Sequence, residues 1–328
     1  MSLKQSEKKL NYFSSALAAL FILFSSPGHA TPYPEPNKTI KVIVPFSAGS
    51  GTDATTRVVM EELQKMLGVS IAVENKPGAN GAVAADSVKK ANPDGYTLFM
   101  GTSSAFSANP WLFKDLSYDP IKDFTPIVRT TDFPFILAVS SDSPIKQLSD
   151  FSTFIQTQRT ITMGYGNATG QVANAHLMKA ARFEAVSVPY KSTPPALVDM
   201  VGGRFDLMFV DLASSNAFVK DGRVRPIAMM ADRRSALMPD LPALGEKYPG
   251  FSYIPWGGLF GPPALPQDIV DKLNREVVNA LAKPSVLEKF KAMGQATYPS
   301  TPAEFAKFIV EQKAAWGEKI QQAGMVAQ

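Results

Sequence analysis

An α/β fold arranged as two similar lobes is expected, and three observations predict it. Short β-branched strands alternate with amphipathic helices through residues 31–328. One device, a strand that breaks into a Gly- and hydroxyl-rich turn and then a helix, occurs near the start and again near the middle. About 298 residues remain once a leader of 30 is set aside, enough for one large domain or two lobes.

Residues 1–30 read as that leader. Lys4, Lys8 and Lys9 make a basic start, and Ala16 to Phe24 is an unbroken apolar run. Ser25-Ser26-Pro27-Gly28-His29-Ala30 ends in small residues suited to cleavage after Ala30, the pattern of a secretory signal peptide. The apolar run is shorter than the roughly 20 residues a spanning helix needs. The chain has no cysteine, which removes lipid attachment, disulfides and thiolate chemistry. The formal charge is +4 for the whole chain. The leader's three lysines against Glu7 account for two of those charges, so the remainder is near neutral despite a pI of about 9.0. No lysine/arginine block or aromatic–basic stripe points to nucleic acid.

The first unit opens with Thr39-Ile40-Lys41-Val42-Ile43-Val44, a β-branched strand, and breaks at Pro45 to Asp53. A helix follows, with Val58, Val59, Leu63, Met66 and Leu67 at helical spacing. Such a turn leaves the first amides of the helix unpaired, and the positive end of the helix dipole adds to them. Together they suit an anion such as a carboxylate. Ser70 to Glu74 is the second strand, followed by the turn Asn75 to Gly81 and a small-residue helix over 82–91. Asn92-Pro93-Asp94-Gly95 is a strong turn, and Tyr96 to Met100 is a third strand ending in Gly101-Thr102-Ser103-Ser104. Ligands bind beyond the carboxyl ends of strands in an open parallel sheet, so all three turns are candidates for one pocket.

A second series begins near Ile136-Leu137-Ala138-Val139. Helical spacing covers 148–159, and Thr160 to Met163 leads into the turn Gly164 to Gln171 and a helix over 172–183. Val186 to Lys191 is a strand, and a helix over 194–201 stops at Gly202-Gly203. Phe205 to Asp211 reads as a buried strand with an acid at its end, and Val224 to Met230 as another. Gly257 to Pro263 crosses back, followed by amphipathic helices over 267–294 and 303–323. Two such lobes would set the turns 47–52 and 166–171 across a cleft.

The chemistry available is narrow. His176 is the only histidine beyond the leader, so no His- or Cys-based zinc or iron cluster can form. Its neighbours Leu177, Ala180 and Ala181 favour a packed or capping role, and no G-x-S-x-G elbow is present. The competing motif is Gly49-Ser50-Gly51-Thr52-Asp53-Ala54, which fits G-x-G-x-x-A after a strand, with Glu74 about twenty residues on. An oxidoreductase with a dinucleotide cofactor would use that spacing. Against it, an exported chain meets little soluble nicotinamide, no His or Cys sits where hydride chemistry would use one, and Asp53 would repel a pyrophosphate. Asp53 better caps the helix or pairs with Arg57. A Walker pattern is absent. Asn167, Thr169 and Gln171 surround free helix amides. Asp211 is either a ligand for an amine or hydroxyl or a turn residue. Phe46, Tyr190 and Trp256 either line the cleft or pack, and Arg233-Arg234 reads as a solvated surface pair.

These residues resemble a known family. Pro45-Phe46-Ser47-Ala48-Gly49-Ser50-Gly51-Thr52-Asp53, Glu74 to Gly81 and Pro93 to Leu98 are similar to the tripartite tricarboxylate transporter receptors, the Bug or TctC-like solute-binding proteins. The likeness continues through Val188 to Lys191, Gly202 to Phe209 and Pro239 to Leu241-Pro242. It implies a two-lobed periplasmic-binding fold, type II-like, with two mixed sheets flanked by helices and two crossover segments. Expected lobes are 31–137 plus 258–328, and 138–257. The resemblance implies a monomeric periplasmic receptor without enzymatic activity or cofactor. It would capture a small organic carboxylate and deliver it to integral-membrane transporter subunits, or feed a membrane sensor. Expected ligand-binding residues are Phe46, Ser47, Ala48, Ser50, Thr52, Asn80, Thr102, Ser103, Asn167, Thr169, Gln171 and Asp211. Ser50 stands where the family usually has Gly, adding a hydroxyl or narrowing the turn, and the second turn lacks the family's serine-rich wording. Phe46 and Trp256 suggest an acid with an aromatic or apolar body.

Overall fold

The structure is a computed structural model and describes residues 33–328; the expected leader and its cleavage point after Ala30 lie outside the described residues. The body 36–328 is built on two five-stranded sheets. Strand β1 (Ile40–Val44) is buried at every position but Lys41, so its residues are otherwise all apolar. It pairs in parallel with β2 (Ile71–Asn75) and β3 (Thr97–Thr102). Strand β10 (Trp256–Gly261) runs antiparallel between β3 and β4 (Thr125–Asp132), so the order is β2-β1-β3-β10-β4.

The second sheet repeats this plan. β6 (Thr162–Tyr165) pairs in parallel with β7 (Val186–Pro189) and β8 (Leu207–Asp211). β5 (Phe135–Ser140) runs antiparallel between β8 and β9 (Val224–Met229), giving β7-β6-β8-β5-β9. Each sheet is therefore a parallel trio, one antiparallel strand entered from the other sheet, and an edge strand (β4 or β9) beyond it. The chain leaves the first sheet between Asp132 and Phe135 and returns between Met229 and Trp256. The boundaries expected at 137/138 and 257/258 thus fall inside β5 and β10. Gly257 to Gly261, expected as a crossing, belong to a fully buried central strand. Sequence gave no notice of β4, whose mixed Thr, Arg and Pro content hides its period.

Helices cover the sheets: α1 (Gly51–Leu67), α2 (Ala82–Lys89), α3 (Asn109–Leu112), α4 (Leu148–Thr157), α5 (Ala168–Ala181), α6 (Thr193–Val201) and α7 (Leu212–Lys220). After β10 come α8 (Gln267–Leu281), α9 (Pro284–Ala292) and α10 (Pro302–Gln322). The single helix expected over 267–294 is broken where Lys283 caps a new start at Pro284, a residue that favours a first helical turn. The second anion-ready turn is shorter than expected, since α5 begins at Ala168 and takes in Thr169 and Gln171.

The first lobe's core is aromatic. Phe106 stacks on Phe260 at 4.0 Å between ring centres, and Trp256 meets Phe305 edge-on at 5.5 Å. Gly258 is required there, because a Cβ would lie 2.2 Å from the Phe305 ring. Helix α10 serves both lobes. Its Phe305 and Ile309 belong to the first core, while Trp316 and Ile320 join Leu177, Phe251 and Tyr253 in the second. Its C-terminal half therefore does not belong to the first lobe alone. Among the described residues no helix is long and apolar enough to cross a membrane.

Candidate functional site

Three helices begin at the carboxyl ends of parallel strands, and each starts with a side-chain cap. At α1 the cap is Ser50, whose Oγ accepts the Asp53 N–H at 3.2 Å. At α5 it is Asn167, whose Oδ1 accepts the Gly170 N–H at 2.9 Å. At α7 it is Asp211, whose Oδ1 accepts the Ser214 N–H at 2.8 Å. All three caps line one narrow, partly open pocket of about 20 Å3. Phe46, Gly51, Thr52, Thr102, Ser103, Ser104 and Phe133 complete one side, and Phe135, Thr169, Thr193 and Pro255 the other.

The caps leave specific donors over. The Gly51 N–H crosses to the Ser214 hydroxyl at 2.8 Å. The N–H groups of Thr52, Ala168 and Thr169 have no partner among the described residues, as first-turn amides ordinarily do not. Thr102 Oγ1, at the end of β3, is buried and likewise without a hydrogen-bond partner. A buried hydroxyl left so costs about 1–3 kcal/mol, which a bound acceptor recovers. The wall therefore presents amide and hydroxyl donors from both lobes.

No lysine, arginine or histidine lines the cavity, and Asp211 is its one titratable residue. Burial pushes the Asp211 carboxyl up, against the lowering bonds from Ser214. Asp53 differs. Burial raises it too, but Arg57 Nε at 3.0 Å, the Gly49 N–H at 3.0 Å and Asn75 Nδ2 at 2.9 Å hold it below the usual range. Its carboxylate thus occupies the glycine turn from within, where a dinucleotide pyrophosphate would need to sit. Gly49 adopts φ +80°, a conformation glycine permits freely.

Eight of the twelve expected residues line this cavity: Phe46, Ser50, Thr52, Thr102, Ser103, Asn167, Thr169 and Asp211. Ser47, Ala48, Asn80 and Gln171 do not. The Ser47 N–H crosses the cleft to Ser192 Oγ at 3.1 Å, and Asn80 Nδ2 crosses to Gln171 Oε1 at 3.2 Å. Asn80 sits in a left-handed turn with Ala79 and borders a separate depression at the cleft mouth with Tyr165, Tyr190 and Lys191. Trp256 is fully buried in the aromatic core, and the Tyr190 hydroxyl is bound to Asp199, so neither reaches the cavity. His176 packs, stacked on Phe251 at 4.5 Å with Nδ1 2.7 Å from the Tyr253 hydroxyl.

Phe133, Phe135, Thr193 and Pro255 escaped the sequence reading, and Gly51 and Ser104 entered it only as members of the candidate turns. Phe133-Pro134-Phe135 carried a signal, an apolar pair astride a proline between two strands. Thr193 follows Ser192 at the start of a Pro-initiated helix.

A profile of the tripartite tricarboxylate transporter family receptors matches residues 55–325. The chain belongs to this receptor family. A UPF0065 protein of Bordetella bronchiseptica is 31% identical over 291 residues, covering 88% of this chain and 87% of the relative. Among solved structures, the periplasmic binding protein BugD superposes with TM-score 0.85 at 29% identity, over 90% of this chain and all of BugD. MatC from Rhodopseudomonas palustris, solved with bound malate, superposes with TM-score 0.82 at 31% identity, over 87% of this chain and all of MatC. The two-lobed fold of periplasmic binding proteins is thus shared, with the pair of mixed sheets meeting at the cavity.

Proposed function

We propose that this chain is an exported, monomeric receptor that closes on a small organic carboxylate and hands it to the integral-membrane subunits of a tripartite tricarboxylate-type transporter. It reaches the periplasm through a leader cleaved after Ala30 and performs no catalysis. One observation carries the reading: the unpartnered N–H groups of Thr52 and Thr169, each second in its helix and each from a different lobe, belong to residues lining one cation-free pocket. Closure replaces the water of a carboxylate by fixed amides, hydroxyls and two helix dipoles, so no salt bridge is needed. The malate held by MatC agrees with that class of guest.

A thermal-shift screen over mono-, di- and tricarboxylates tests it. At least one acid is expected to raise Tm in a concentration-dependent way, without being consumed. Stabilisation by a dinucleotide and by no acid would overturn the proposal.

A further inference from the structure

Resting on the carboxylate-receptor reading, we infer that Asp211 selects, among small organic acids, those carrying a hydroxyl or ammonium donor on the carbon beside the carboxylate. Asp211 is 5% exposed and lines the cavity. Ser214 donates twice to the Asp211 carboxyl, the N–H to Oδ1 and the hydroxyl to Oδ2, each at 2.8 Å, and the N–H of Asp211 itself adds to these. A carboxyl group has about four lone-pair sites, so acceptor capacity remains. No cation among the lining residues neutralises it.

The position of the acid sets where that capacity is used. A Cβ built on Gly51 would lie 2.1 Å from Asp211 Oδ1, so the carboxylate presses on the Gly51 backbone. Ser214 Oγ accepts the Gly51 N–H and donates to Asp211 Oδ2, locking acid and turn together. The next amide along the chain is the unpartnered one of Thr52. A carboxylate seated there brings the substituent of its neighbouring carbon to Asp211. With no donor on that carbon, the Asp211 carboxyl gains no partner there. A hydroxyl or ammonium there donates a hydrogen bond to the carboxyl oxygen.

Isothermal titration of the full protein with matched acids tests this: malate against succinate, lactate against propionate, 2-hydroxyadipate against adipate. The hydroxy acid of a binding pair is expected to bind at least about tenfold tighter. In Asp211→Asn the helix cap is kept and an acceptor becomes a donor, so the ratio should fall to about one or invert. Equal affinities in the wild-type protein, or an unchanged ratio in the variant, overturn the selectivity; the wild-type ratio decides alone if the variant does not fold. An acid without such a donor that binds as tightly as any hydroxy acid overturns it while leaving the receptor reading intact. If no carboxylate binds at all, both fall together.

Discussion

Gly51 is where the two lobes come closest in chemical terms. Its N–H is held by Ser214 from the opposite lobe, and its missing side chain makes room for the Asp211 carboxylate. Its backbone is helical, so alanine is tolerated locally and even favoured over glycine there. Gly51→Ala should therefore leave the unliganded Tm within a few degrees while wedging the cleft, because the new Cβ would meet Asp211 at 2.1 Å and Ala213 at 3.2 Å. Titration with a stabilising acid should show affinity reduced at least about tenfold, as hydrogen bonds weaken steeply with lengthening. Unchanged affinity would show that closure does not bring these groups together. Ser50, Thr52, Asn167, Thr169 and Asp211 were legible beforehand because caps and small polar residues at strand ends have a physical signature. Phe133 and Pro255 were not, nor was the approach of Gly51 to Asp211, since contact across the cleft is not encoded in local pattern.

Among the elements, the starts of α1, α5 and α7 are alike: in each a cap side chain takes the third amide. Strand–turn–helix periodicity made the first two readable. What it missed were β10, an antiparallel insertion, and the edge strand β4 beside it, whose places depend on distant partners. Helix α10 was placed in one lobe because amphipathic spacing reports a buried face but not which core buries it. Helix α5 carries a separate test. Burial, reinforced by the charges of Lys319 and Lys179, holds His176 below its ordinary pKa of 6.5. The unfolded chain then takes up the proton first as pH falls. Stability is full above about pH 6.5 and is lost progressively below it. Urea unfolding at pH 8 and pH 5.5 should show a larger drop for wild type than for His176→Gln; equal drops would remove His176 from the acid response.

For the whole molecule, the account joins closure to capture. Ser47 to Ser192, Gly51 to Ser214 and Asn80 to Gln171 tie the lobes around the cavity, and α10 spans both cores. The repeated sheet plan explains why the sites meet: each parallel trio points its carboxyl ends at the other. Backbone 15N resonances of Thr52 and Thr169 report most directly on that geometry, followed while a stabilising carboxylic acid is titrated into the full protein. Both amides are predicted to shift and to saturate at the same ligand concentration. A bound acid that moves only one of them, or neither, contradicts capture between the two helix starts.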